Sequence, residues 1–322
     1  MTTMSLDLGI PFALARYRQG AEARLGLVAG DRIRPLDAHE LGAPSLNAFL
    51  AQHDWSRLAT LAESDGPWRP LADVTLTAPV EPRQVLQTGA NYRQHVIELV
   101  AAGLTSNSDR TPQEAREFAA KMMDDRAANG EPYFFIGLPA CVVGDDVPLV
   151  LPGYSEVHDW ELELAVVIGR EAFRVSPEQA WEHVAGYTIV NDITTRDLVF
   201  RKDMKEIGTD WYRSKNAPGF LPTGPFLVPV DFVDPTDLGI RLELNGDVMQ
   251  DASTSDLLFD IPALISGASQ TMPLLPGDIL LTGSPPGNGQ HWKRFLQDGD
   301  VMTGSIDGLG TQVVRCVAEV GR

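Results

Sequence analysis

Apolar and acidic positions alternate along Asp159-Trp160-Glu161-Leu162-Glu163-Leu164-Ala165-Val166-Val167-Ile168-Gly169. That period of two predicts a half-buried strand with Asp159, Glu161 and Glu163 on one face. A second run, Gly186-Tyr187-Thr188-Ile189-Val190-Asn191-Asp192, is β-branched and aromatic and ends on an acid, which places Asp192 at a strand mouth. From Phe12 to about Val74 short strands alternate with glycine turns, and a helical pattern covers 45–62. A Pro-spaced connection follows, so the chain divides into a small β-rich N-terminal unit, 1–74, and a larger unit, 75–322.

In the larger unit the apolar spacing turns helical at Asn91 to Val100, which puts His95 and Glu98 on one helix face. The charged, Ala-rich stretch from Ser106 ends at Asn129-Gly130 and predicts a helical excursion, with 99–131 a lid inserted over the core. Leu244-Asn245-Gly246-Asp247 predicts a hairpin, and 255–268 a further helix. The loop Thr282 to Gly289 has the Gly and Pro content to bring backbone N–H groups to an anion, but it fits no phosphate-loop pattern and reads equally as a plain turn. Strands outnumber helices without regular βαβ alternation, so the fold class is mixed, β-rich α+β.

The 322 residues are 43% hydrophobic, enough for a full core. Forty-four acids against 26 Lys and Arg give a net charge of −18, which argues against a nucleic-acid partner. Cys141 and Cys316 lie in separate apolar runs and read as buried reduced thiols. The first ten residues lack a signal-peptide pattern and no run reaches the ~18 apolar residues of a membrane helix, so the expectation is a cytoplasmic protein with no membrane partner.

Acids converging at strand ends repel one another unless a cation lies between them, and oxygen-only donors suit Mg²⁺, Mn²⁺ or Ca²⁺. On spacing alone, Glu161 and Glu163 fit a solvated face as well as a metal site, and Asp192 tips the balance to a cation held by Glu161, Glu163 and Asp192. Asp159 is set aside as a neighbour that orients the ligands. His95 with Glu98 fits a general base and its orienter, although such a pair is more often a plain surface contact. Lys215 is an exposed lysine unless its neighbours bury it. The absence of Gly-x-Ser-x-Gly, His-Glu-x-x-His and Gly-x-Gly-x-x-Gly removes the common hydrolase, zinc-protease and dinucleotide readings.

Five motifs in order resemble the fumarylacetoacetate hydrolase family: Asn91-Tyr92-Arg93-Gln94-His95-Val96-Ile97-Glu98, Asp159 to Ala165, Asn191 to Asp197, Lys215 with Phe220 to Pro225, and Thr282-Gly283-Ser284-Pro285. The resemblance runs from about Gln87 to Gly310. It implies a β-sandwich roll, metal ligands at Glu161, Glu163 and Asp192, a water-activating His95–Glu98 dyad, a catalytic Lys215 and a homodimer. It also implies substrate contacts at Tyr92, Arg93, Arg196 and Thr282. Departures are Thr88 where some members carry a fourth carboxylate, Gly137 in place of a lysine, Val199 in place of a glutamine and Pro218 in place of an aspartate. The implied activity is metal-dependent hydrolysis of a C–C bond in a β-diketo acid or acylpyruvate. Decarboxylation or tautomerisation of an oxaloacetate-like acid, or hydratase or isomerase chemistry, is the alternative, with an idle metal-binding protein more remote.

Overall fold

In the computed structural model, which describes residues 9–107 and 110–320, the N-terminal strands Ala13–Gln19, Glu22–Ala29 and Arg32–Pro35 form an antiparallel meander. Its tight turns fall at Gly20 and Gly30, whose positive φ values of 66° and 58° suit the residue without a Cβ. Arg69–Pro70 extends this sheet on one side and Leu76–Thr77 on the other, pairing with Tyr17 and Arg16. The expected helix over 45–62 is two helices, Leu46–Leu50 and Trp55–Glu63. The chain breaks at His53, which takes a positive φ, and restarts where the Asp54 carboxylate accepts from the Ser56 N–H.

The central sheet has six strands in the order Val228–Pro229, Val184–Asn191, Leu162–Ile168, Ile279–Leu281, Val85–Gly89 and Tyr133–Gly137. Only the pairing of Ile279–Leu281 with Val85–Gly89 is parallel. A five-stranded sheet of Asp247–Ser253, Gly239–Leu244, Val301–Ile306, Gly310–Ala318 and Leu149–Leu151 supplies apolar residues to one side of it. The approach is close at Gly304, where a Cβ would meet Leu162 Cδ1 at 2.5 Å. The expected hairpin is present, with Asn245 and Gly246 at φ 55° and 92°.

The acid-bearing strand is buried along its whole length, not half-buried as its alternation predicts. Leu162, Leu164, Val166 and Ile168 share a core with the five-stranded sheet, whereas Ala165 and Val167 pack in a second core with Phe12, Leu14 and Leu27 of the N-terminal unit. That unit therefore covers the face a lone strand pattern assigns to solvent.

The excursion is a helical hairpin, Arg93–Asn107 and Pro112–Asn129. Its return helix starts in a capping box between Thr111 and Glu114 with Pro112 in the first turn. Val96, Ile97, Ala101, Ala115, Ala119 and Met123 give it a small core of its own. The helix expected at 255–268 occupies Ile261–Thr271 instead, because Asp260 caps it and Pro262 stands in its first turn. Among the described residues the fold is β-rich α+β with several sheets and eight α-helices, none long and apolar enough to cross a membrane. Both cysteines are buried and free, with burial pushing their thiols up to about 11 and about 12.

Candidate active site

Glu161 and Glu163 enter the site two residues apart on adjoining strand backbone, and Asp192 enters just past the end of Val184–Asn191. Their carboxylate oxygens lie within 4.8 Å of one another and all three residues are buried. The short helix Trp211–Lys215, started by Asp210 accepting from Arg213 N–H, delivers Lys215 to the same point. Lys215 is 2% exposed, not solvated; its ammonium donates to Glu161 Oε2 at 2.5 Å and also to Asp192 Oδ2. Arg196 donates through Nε to Asp159 Oδ2 at 2.6 Å and through Nη2 to Glu161 Oε1 at 2.7 Å.

The Thr282–Gly289 loop does present backbone N–H groups to anions, but the anions are the protein's own. Gly283 N–H donates to Glu163 Oε2 at 2.7 Å, and Gly289 and Gln290 N–H groups donate to Asp159. Asp159 is thereby fully engaged and braces Arg196 instead of joining the acidic trio.

Four buried carboxylates face two cationic side chains, leaving two uncompensated negative charges. The strain shows in their protonation. Burial opposes ionisation of Glu161, yet Arg196 and Lys215 outweigh it and hold that carboxyl below its usual range. Burial, then repulsion from Asp192 and Glu161, pushes Glu163 well up. Burial likewise carries Asp192 up to about 6 against the pull of Lys215. Three hard oxygen donors around a surplus of two negative charges fit a divalent cation, and Glu161, Glu163 and Asp192 would hold it.

His95 is half-buried on the helix that starts at Arg93. Burial lowers its pKa against the attraction of Glu161, the strongest of the charges acting on it, so the ring is neutral at pH 7. Glu98 lies on the same helix, but its carboxylate accepts from Gln94 Nε2 at 2.9 Å and stands 3.9 Å from His291 Nδ1. No hydrogen bond joins it to His95 among the described residues. Tyr92 is fully buried with its hydroxyl unpartnered, and burial followed by Glu163 raises its pKa. Arg93 pairs at 2.6 Å with Asp124 of the return helix, and Thr282 Oγ1 donates to Leu164 O at 3.0 Å. Of the four expected substrate contacts, Arg93, Arg196 and Thr282 are thus committed to protein partners. Asp197, next to Arg196 in the chain, accepts from Ser155 Oγ at 2.7 Å.

Comparison with known proteins bears on this site directly. The family model described as fumarylacetoacetate (FAA) hydrolase C-terminal matches residues 84–317, and one described as Rv2993c-like, N-terminal matches 13–79. The chain belongs to the fumarylacetoacetate hydrolase family. It is 33% identical over 293 residues to the mitochondrial oxaloacetate tautomerase fahd2 of Xenopus laevis, covering 89% of this chain and 83% of that one. Among solved structures it resembles maleylpyruvate hydrolase from Sphingobium sp. SYK-6, at 30% identity and TM-score 0.71 over 95% of this chain and 100% of that one. It also resembles 2-hydroxyhepta-2,4-diene-1,7-dioate isomerase from Mycobacterium marinum, at 30% identity and TM-score 0.70 over 96% and 100%. Members of the fumarylacetoacetate hydrolase family are enzymes, and these names span tautomerase, hydrolase and isomerase chemistry.

Two parts of this fumarylacetoacetate hydrolase family site escape sequence reasoning. Gln87, 1% exposed, donates from Nε2 to Asp192 Oδ1 and leaves its Oε1 buried without a partner. Gln87 pairs across the sheet with Phe135 and Thr88 with Phe134. Strand alternation therefore turns Gln87, not Thr88, towards the carboxylates. A polar residue inside the apolar run Val85-Leu86-Gln87 was the available signal. The second is an aromatic wall: the Phe135 and Trp211 rings stack with centroids 4.6 Å apart at 16°, and Lys215 Nζ lies 5.3 and 5.9 Å from the two rings. Gly137, where a lysine was expected, has no room for one as placed, since a Cβ would stand 2.9 Å from Gln87 Oε1.

Proposed function

We propose that this chain is a divalent-cation-dependent hydrolase that cleaves a carbon–carbon bond in a β-diketo acid of the acylpyruvate type. The observation that carries the reading is the pairing of a neutral, half-buried imidazole at His95 with a buried ammonium at Lys215 around one acidic trio. A cation held by Glu161, Glu163 and Asp192 supplies Lewis-acid polarisation of the 2-oxo acid. His95 takes a proton from water, whose oxygen bonds to the distal carbonyl carbon. The bond from that carbon to the neighbouring methylene then breaks, and its electron pair passes to the 2-oxo acid fragment as an enolate. The proton on His95 returns to that methylene carbon, which becomes the methyl of the released 2-oxo acid, and the distal carbonyl carbon leaves as a carboxylic acid. Lys215, kept charged by Asp192 and Glu161 against burial, donates to the oxygen on which charge develops.

Keto–enol tautomerisation of an oxaloacetate-type acid is the second reading. It is favoured by Glu98 bonding Gln94 instead of orienting His95, and it needs no attacking water. Mass spectrometry in ¹⁸O water separates the two. Hydrolysis places solvent oxygen in the acid released from an acylpyruvate, whereas tautomerisation releases no fragment. His95→Ala should abolish that release, a general base being worth about 10²–10⁴-fold, while Mn²⁺ still binds by calorimetry. Unchanged turnover in His95→Ala overturns the role given to His95.

A further inference from the structure

We propose that Trp211 and Phe135 form a flat, apolar seat for the distal group of the substrate, so that this site takes 2-oxo acids ending in an uncharged planar ring. The proposal rests on the 2-oxo acid reading above. Both side chains are only half-buried, although they stack on one another and stand over a lysine that is almost wholly enclosed. Their spacing from the chemistry suits a tail: the ring centroids lie 5.3 and 5.9 Å from the ammonium that itself bonds Glu161 and Asp192. A ligand anchored at the acidic trio reaches them with its far end.

The indole is held in orientation. Its Nε1–H donates to Tyr133 Oη at 2.7 Å, so the polar edge of Trp211 is occupied, and with one face stacked on Phe135 the opposite face is what remains to offer. Tyr133, Phe135 and Gly137 alternate onto one face of the edge strand, and Gly137 adds no side chain to it. Lys215, the cation beside these rings, is already shared between Glu161 and Asp192. A second carboxylate on the ligand would face aromatic rings and the unpartnered carbonyl oxygen of Gln87, and the nearby charges of Lys215 and Arg196 are already engaged by Asp192, Glu161 and Asp159.

The test is calorimetric titration of the Mg²⁺-loaded protein with three acids that lack a second keto group and so are not cleaved: 2-oxo-4-phenylbutanoate, 2-oxopentanoate and 2-oxoadipate. The phenyl acid should bind about tenfold more tightly than the alkyl acid, and the dicarboxylic acid most weakly. Trp211→Ala should weaken the phenyl acid by about 3- to 10-fold and the alkyl acid less than about twofold, with Trp211→Phe restoring most of the loss. Equal binding of the phenyl and alkyl acids, tightest binding of 2-oxoadipate, or an equal loss for both acids in Trp211→Ala overturns the proposal. Because no turnover is read, failure of the hydrolase reading shows separately, as absent cleavage of acylpyruvates beside an intact ring preference.

Discussion

Replacing Lys215 by methionine keeps the length and apolar stem of the side chain and removes only its charge. In the native chain that charge is 2% exposed and bonds Glu161 and Asp192. Breaking a buried ion pair by removing one partner costs about 3–5 kcal/mol, because the remaining carboxylates keep their desolvation penalty without compensation. At roughly 2–3 °C per kcal/mol for a chain of this size, the thermal midpoint in chelator should fall by about 6–15 °C. The same substitution removes a positive charge that competes with a cation for Glu161 and Asp192. Mg²⁺ should therefore raise the midpoint of Lys215→Met more than that of the native chain, while turnover is lost. Differential scanning calorimetry with EDTA and with saturating Mg²⁺ measures both shifts. An unchanged midpoint in EDTA, or equal Mg²⁺ shifts in the two proteins, refutes the view that Lys215 neutralises the acidic trio.

Gln87→Leu keeps the volume of the side chain but deletes the donor to Asp192, and Mn²⁺ affinity by calorimetry should fall about 10- to 100-fold with little change in fold. Asp145 offers a pH test away from the site: burial carries its carboxyl up to about 6 from 3.8, against a backbone hydrogen bond from Val313. The folded state thus favours the protonated acid. Its contribution to stability is fully present below pH ~4 and is lost as pH rises through ~6. Asp145→Asn should accordingly be more stable than the native chain by about 1–2 kcal/mol at pH 7, with the gap closing near pH 4, as urea denaturation at both pH values would show.

How much of this was legible in the sequence depended on the range of the forces involved. The period-two acids and the strand-terminal Asp192 are local patterns, and they led directly to the trio that the structure brings within 4.8 Å. The burial of Lys215 is not local: nothing in Arg213-Ser214-Lys215-Asn216 tells an enclosed ammonium from a solvated one until carboxylates 23 and 54 residues away close around it. The Phe135–Trp211 stack escapes for the same reason, joining an edge strand to a helix across 76 positions of chain. The acid-bearing strand reads as half-buried because its pattern records only its own alternation. Its other face is closed by Phe12, Leu14 and Leu27 of the N-terminal unit. Arg93 and Thr282, whose motif positions imply a ligand, bond Asp124 and Leu164 O in the structure, contacts that their local sequence does not announce.

The helix Arg93–Asn107 carries His95 at its third position and runs on into the hairpin without a break. Its root is clamped, Asn91 bonding Phe259 on both its backbone groups and Thr282 O, and Gln94 N–H donating to Asp256. At 1.5 Å per residue, His95 stands about 3 Å from the clamped end and the far end about 21 Å. A 10° tilt about that root sweeps the far end through about 4 Å and shifts the His95 backbone by about half an ångström. The hairpin helix is thus a lever held at its root, so a displacement of its far end reaches His95 reduced about sevenfold.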